Sequence, residues 1–157
     1  MLTFRPFTPQ DHDTVLPMVW GFYHSDAVSH PVDASIQERT FQAAADPNEP
    51  LLQGVLILYD GRPAGFLYLT ECYSCEAGGR CVFLEELFLK PEYRGRRLGR
   101  EIMAWIEGQY PAARRFRLEV NDDNPAAIHL YRRVGYRELD YRQMVVDKSD
   151  RLDYNHG

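Results

Sequence analysis

Residues 93–102, "YRGRRLGREI", hold four arginines and two glycines at a point where a strand-like run ends and a helical pattern begins. The first N–H groups of a helix have no internal partner, and the helix dipole adds positive potential there. Such a turn is an anion site, best suited to phosphates. Arg94, Arg96, Arg97 and Arg100 supply charge, and Gly95 permits close backbone approach. A solvated, arginine-rich helix start is the plain alternative. Upstream, "CVFLEELFL" (81–89) sets Glu85 and Glu86 in an almost continuously apolar run. A carboxylate there is costly unless paired or functional, and desolvation raises its pKa towards a general base's working range. Strand alternation predicts that the two side chains point to opposite faces. Downstream, Tyr131 places a phenol on the aliphatic face formed by Ala127, Leu130 and Val134. A core tyrosine with a satisfied hydroxyl and a proton donor are both open readings.

Other chemistries lack their residues. No G-x4-G-K-[ST] occurs, which disfavours nucleotide triphosphate hydrolysis, and the dinucleotide fingerprint G-x-G-x-x-G is missing too. Cys72, Cys75 and Cys81 form C-x2-C-x5-C without a fourth ligand nearby, so no metal is expected. Free thiols are the expectation in a cytosolic chain, although Cys72 and Cys81 could face each other across a hairpin. The net charge of −5 hides a split: 13 acids face 5 bases through Tyr93, and 13 bases face 10 acids beyond it. This is not the uniform basic face of a nucleic-acid binder. It suits an anion-binding half beside an acidic one. No apolar run approaches the roughly 20 residues of a membrane helix. The opening residues lack the pattern of a signal peptide, so a cytoplasmic protein is expected.

The elements that must position these residues alternate along the chain. "LTFRPF" reads as a strand, followed by a helix over about 11–23 that Pro17 should bend or break. Ser35 and Glu38 match a capping box opening a second helix. Two apolar runs flank Asp60-Gly61, a strong hairpin signal, and Ala77-Gly78-Gly79 leads into the strand bearing Glu85. Then come the arginine turn, a helix to about Gln109, a strand "RFRLEV", and a helix from Pro125 capped by Asn124 and ended by Gly135. "YRELD" and "RQMVV" read as closing strands. The expectation is one α/β (α+β) domain over 1–157. It has a mixed, mostly antiparallel sheet of six or seven strands with helices on both faces.

Two stretches together resemble the GNAT superfamily of acyl-CoA-dependent N-acetyltransferases. The cofactor motif [Q/R]-x-x-G-x-[G/A] is matched by Arg94, Arg97, Leu98 and Gly99 around Gly95 and Arg96, with Arg97 standing where glycine is usual. The second motif, N-x-x-A-x-x-x-Y-x-x-x-G-[F/Y], is matched by Asn124, Ala127, Tyr131, Gly135 and Tyr136. The resemblance covers residues 2 to about 146. It implies an acceptor-side half (1–80), an acetyl-CoA-binding core (81–147) and a C-terminal tail (148–157). Acetyl-CoA would lay its pantetheine arm along Leu87, Phe88 and Leu89 and its pyrophosphate on the amides of residues 95–100. Asn124 and Ala127 would lie beside the arm.

By the same resemblance Tyr131 would protonate the departing thiolate, a sensible task for a phenol of pKa about 10. A general base is needed because an ammonium has no lone pair. Glu85 ranks first, by likeness to polyamine acetyltransferases. Glu119 is second, by likeness to ribosomal-protein N-terminal acetyltransferases, and Glu86 third. The first helices should wall the acceptor site, making Trp20, Phe22, Tyr23, His24 and Asp26 candidates beside Glu86. The acidic first half suits a small cationic amine steered electrostatically. A protein N-terminus or lysine is the alternative acceptor. A non-catalytic acyl-CoA sensor is the alternative of another class. An RNA-binding module would want an aromatic platform that is missing, and neither a nucleic-acid nor a membrane partner is expected. Oligomeric state is not legible in the residues, and the resemblance allows a homodimer.

Overall fold

Apolar–polar alternation in the opening residues forms β1 (Leu2–Pro6), in the computed structural model that describes residues 1–148. β1 pairs antiparallel with β2 (Leu52–Tyr59), which turns through Asp60 and Gly61 into β3 (Arg62–Ser74). Both turn residues have positive φ, 48° and 78°, the mirror-image turn whose twist matches a hairpin. β3 pairs antiparallel with β4 (Gly79–Leu89), and β5 (Arg115–Leu118) runs parallel to β4, giving the order β1-β2-β3-β4-β5. Cys72 and Cys81 are register partners across β3 and β4 and carry free thiols.

Two clusters sandwich the sheet. On one face α1 (His12–Tyr23) and α2 (Ala34–Ala45) bury Val15, Val19, Phe22 and Phe41 against Leu56, Phe66, Tyr68 and Phe88. On the other, α3 (Leu98–Gln109) buries Ile102, Met103 and Ile106 against Val55, Ile57, Leu67 and Val82, with Tyr131 and Val134 from the region of α4 (Pro125–Arg133) packed alongside. Phe4 of β1 stacks on Trp105 of α3 at 4.4 Å. No described helix is long and apolar enough to cross a membrane.

Four expectations need correction. The sheet has five strands among the described residues, not six or seven, because "YRELD" and "RQMVV" pair with nothing. A cavity of about 710 Å³ separates residues 137–143 from β5, so no ladder forms between them. Pro17 neither breaks nor ends α1, which runs unbroken around it. The missing bond would have gone to the carbonyl of Asp13, on the exposed side of the helix where water can replace it. The cap of α2 is Asp33, whose carboxylate accepts from the Ser35 amide at 2.8 Å. Ser35 lies inside the helix, and Glu38 bonds His12 instead of closing a capping box. Lastly, Glu85 and Glu86 do not diverge to opposite faces. Glu86 pairs with Tyr68 and Leu84 with Leu69, so Glu85 is the extra residue of a β-bulge that interrupts the alternation.

The backbones of β3 and β4 approach closely at Gly65, where an added Cβ would lie 2.1 Å from the Phe88 carbonyl oxygen. Backbone cannot yield as a side chain can. Gly65→Ala is expected to destabilise the protein by about 2 kcal/mol in denaturant unfolding, the cost of overpacking a tight site.

Candidate active site

The bulge at Glu85 coincides with the place where the sheet opens. The parallel ladder of β4 with β5 ends at Leu84 and Leu118, yet β4 continues to Leu89. Residues 86–89 therefore keep their pairing with β3 while losing it on the β5 side, and the bulge residue Glu85 pairs with neither strand. That leaves a row of main-chain N–H and C=O groups free beside a cavity of about 740 Å³. Leu84, Glu85, Glu86 and Leu87 form one wall of the cavity, and Leu118, Glu119, Val120 and Asn121 the other. Tyr131, Asn124, Ala127 and Leu130 of α4 and its cap close one end. Phe22, Tyr23 and the loop at 27–32 close another.

Within this cavity Glu86 is the unusual group. It is 8% exposed, and burial pushes its carboxyl up from an ordinary 4.5 to about 7 against a bond from Tyr23 that pulls it down. The nearby Glu85 charge adds to the rise. The Tyr23 hydroxyl donates to Oε1, while Oε2 and the Tyr68 hydroxyl are buried without a partner among the described residues. Burial and the Glu86 charge push both phenols well above their usual range. Glu85 is exposed and accepts from the Thr70 hydroxyl at 2.7 Å. Glu119 is exposed as well. Tyr131 is pushed up to about 12 by burial, so its hydroxyl holds its proton at neutral pH. Asn124 caps α4 by accepting from the Ala127 amide at 3.3 Å, which leaves its side-chain N–H groups available to the cavity.

The arginine turn lies past the end of β4. Gly95 has φ 73° and Arg97 has φ 62°, ψ 18°, so Arg97 takes the left-handed conformation that glycine adopts without strain. The backbone is thus shaped as a glycine would shape it, and the first amides of α3 face outward. Two arginines already have work: Arg94 donates to the Leu89 carbonyl at 2.8 Å, and Arg96 lies over the rings of Tyr59 and Tyr93. Arg97 and Arg100 are exposed and form no ion pair with the described residues. Leu98 begins α3. At Gly99 an added Cβ would lie 2.5 Å from the Leu130 side chain, so this glycine lets α3 seat against the helix that carries Tyr131.

The structure thus brings Glu85, Glu86, Glu119, Asn124, Ala127, Tyr131, Leu87 and Tyr23 to one cavity. Phe88 continues the free edge of β4, Leu89 ends it with its carbonyl held by Arg94, and residues 94–100 lie beyond. It does not bring in His24, whose ring stacks on Trp20 at 3.8 Å and bonds the Trp20 carbonyl. Nor does Asp26 line the cavity with its carboxylate; its carbonyl accepts from Asn121. Sequence reading missed Tyr68 and the loop residues Val28, Ser29 and His30. Tyr68 looks like any apolar strand residue until the register sets it opposite Glu86.

The profile of the acetyltransferase (GNAT) family matches residues 14–136, most of the chain and both halves of the cavity. The chain belongs to that family. Thialysine N-epsilon-acetyltransferase of Sus scrofa is 38% identical over 63 residues, 39% of this chain and 37% of that protein. The Bos taurus enzyme of the same name is 35% identical over 99 residues, 62% of this chain. The chain spans about half the length of that relative, 51%. An aminoglycoside N-acetyltransferase solved in complex with CoA matches in fold, with a TM-score of 0.71 at 15% identity over 94% of this chain and 95% of the other.

Two outcomes are expected of this geometry. A carboxyl raised from 4.5 to about 7 binds more protons folded than unfolded, so it costs stability as pH rises through that window. Urea unfolding at stepped pH should show Glu86→Gln gaining on the wild type between pH 4.5 and 7, by up to about 3 kcal/mol. At Arg97, a β-branched side chain resists the left-handed conformation. Arg97→Val is expected to lose about 1–2 kcal/mol in the same assay, and Arg97→Gly is expected to lose none.

Proposed function

We propose that the protein moves an acetyl group from acetyl-CoA to the primary amine of a small cationic acceptor, by direct attack with both substrates bound. The observation that carries this is the pairing of Glu86, buried with a pKa near 7, with Tyr131, which keeps its proton, on one cavity beside the free edge of β4. The fit to acetyl-CoA rests on two features. The free main-chain groups of residues 85–88 suit the amides of a pantetheine arm, which would pair with them as an added strand does. The amides of residues 95–100, with Arg97 and Arg100, suit a pyrophosphate. When bound, acetyl-CoA supplies an activated acyl group and a thiol leaving group. Asn124 and Ala127 would flank the arm where the cavity narrows at α4.

Glu86 is the proposed base, ahead of Glu85 and Glu119. Its carboxylate takes a proton from the acceptor's ammonium, directly or through one water. The freed lone pair forms the C–N bond as the C–S bond breaks. The Tyr131 hydroxyl gives its proton to the departing sulfur, the new amide sheds the surplus proton on nitrogen, and solvent restores the phenol. Glu85, Glu119 and Asp122 would hold and steer the cation, because the described lining of the cavity contains no lysine or arginine. Relatives named for acetylating thialysine, an amine, support this acceptor class over a protein chain.

Release of free thiol from acetyl-CoA, followed across a panel of amines, tests the reading. Tyr131→Phe is expected to lower kcat at least tenfold with KM for acetyl-CoA changed less than about threefold. Glu86→Gln is expected to lower kcat about 100-fold and to abolish a rise in activity centred near pH 7. Undiminished turnover in either variant removes that residue from the chemistry, and no thiol release with any amine removes the enzymatic reading.

A further inference from the structure

The three cysteines take no part in the acetyl-transfer site, and the register of the sheet brings two of them together. Cys72 of β3 and Cys81 of β4 stand directly opposite across the antiparallel ladder, so their side chains leave the sheet on one face. The other edge of β4 shows which kind of pair they form. There the Arg80 carbonyl accepts from the Arg114 amide at 2.8 Å, beside the start of β5. Successive strand residues aim their main-chain groups at opposite edges, so those of Cys81 face β3 and Cys72. A hydrogen-bonded pair of this kind sets its Cα atoms about 5.5 Å apart, inside the roughly 4.4–6.8 Å that a disulfide spans. Opposed Cβ atoms stand about 4.5–5.5 Å apart, at the wide end of what a relaxed disulfide takes, roughly 3.5–4.5 Å. The bond can close within the ladder, and the pull it exerts makes it easy to reduce.

The two thiols are unlike each other. Cys72 is exposed, whereas Cys81 is 1% exposed. Burial pushes the Cys81 thiol above its ordinary range and the adjacent Cys72 thiol pushes it further, against the pull of Arg117 and Arg115. A dissolved oxidant therefore meets Cys72, and Cys81 waits beside it, shielded from solvent. Cys75 is exposed too, but it lies in the turn past the end of β3, outside the ladder.

We propose that Cys72 and Cys81 are a reversible redox pair, closed by hydrogen peroxide and reopened by thiol reductants. The Cys72 sulfur attacks one peroxide oxygen, the O–O bond breaks, and Cys72 becomes a sulfenic acid as water leaves. The Cys81 sulfur then attacks that of Cys72, and the S–O bond breaks. The departing hydroxide takes the Cys81 proton, so two thiols are oxidised and one peroxide is reduced to two waters. The closed bond staples β3 to β4 just ahead of the bulge at Glu85. Thr70, the next residue on that face of β3, holds Glu85 through its hydroxyl at 2.7 Å, so the staple stiffens the strand pair that positions this acid.

Brief exposure of the full chain to peroxide, followed by alkylation of free thiols and intact-mass measurement, tests the pair. The wild type is expected to take one alkyl group after peroxide and three after a further treatment with dithiothreitol. Cys75→Ser should take none after peroxide and two after dithiothreitol, which shows that the turn cysteine is dispensable. Cys72→Ser changes an exposed position, should keep the wild-type circular dichroism spectrum, and should take two alkyl groups under both conditions. Three alkyl groups on the peroxide-treated wild type, a crosslink that disappears in Cys75→Ser, or a bond that joins two chains on a non-reducing gel would each overturn the proposal.

Discussion

The site depends on the refusal of two strands to stay paired. β4 and β5 share a parallel ladder only as far as Leu84 and Leu118, and the extra residue at Glu85 turns β4 at that point. Unpaired main-chain groups inside a sheet are costly, so a protein keeps them only where something else will bond them. The same bulge does a second task. Regular alternation would send Glu86 to the α3 face with Val82 and Leu84; after the bulge it faces α1 with Phe88. One inserted residue thus opens the strand edge and turns a carboxyl towards it.

Burial then sets the chemistry. Glu86 sits among Tyr23, Tyr68 and the apolar contacts of α1, where its ionised form is poorly solvated. The fold accepts that cost, and in return the carboxyl titrates near neutrality. Arg97 shows a similar trade, since a non-glycine residue is held left-handed at the start of α3. Gly99 links the two halves of the site: with no Cβ it lets Leu130 approach, so the arginine turn and Tyr131 are positioned by one helix contact.

Much of this is legible in the residues, and for physical reasons. Asp60-Gly61 requires positive φ, Asn124-Pro125 opens a helix, and Gly135 ends one, so local chemistry alone places those elements. The arginine turn and Tyr131 stand out because four guanidinium groups crowd one helix start and a phenol interrupts an aliphatic face. What is not legible depends on register. Nothing in "FLEELF" shows that Glu85 is a bulge, so alternation predicts diverging acids where the protein has converging ones. Tyr68 becomes relevant only through its cross-strand position. Asp33 takes the cap in place of Ser35, and since both residue types cap well, residue type alone does not choose between them. The closing segment reads as strands from its apolar pattern, but a strand exists only where a partner pairs with it, and among the described residues β5 does not.

The central claim is that the open edge of β4 and the amides at the start of α3 together receive acetyl-CoA. Amide hydrogen exchange measured with and without that ligand tests it most directly. The account predicts new protection at residues 85–89 and 95–100 in the same titration. Saturable binding that protects neither segment, or no binding at all, would contradict it.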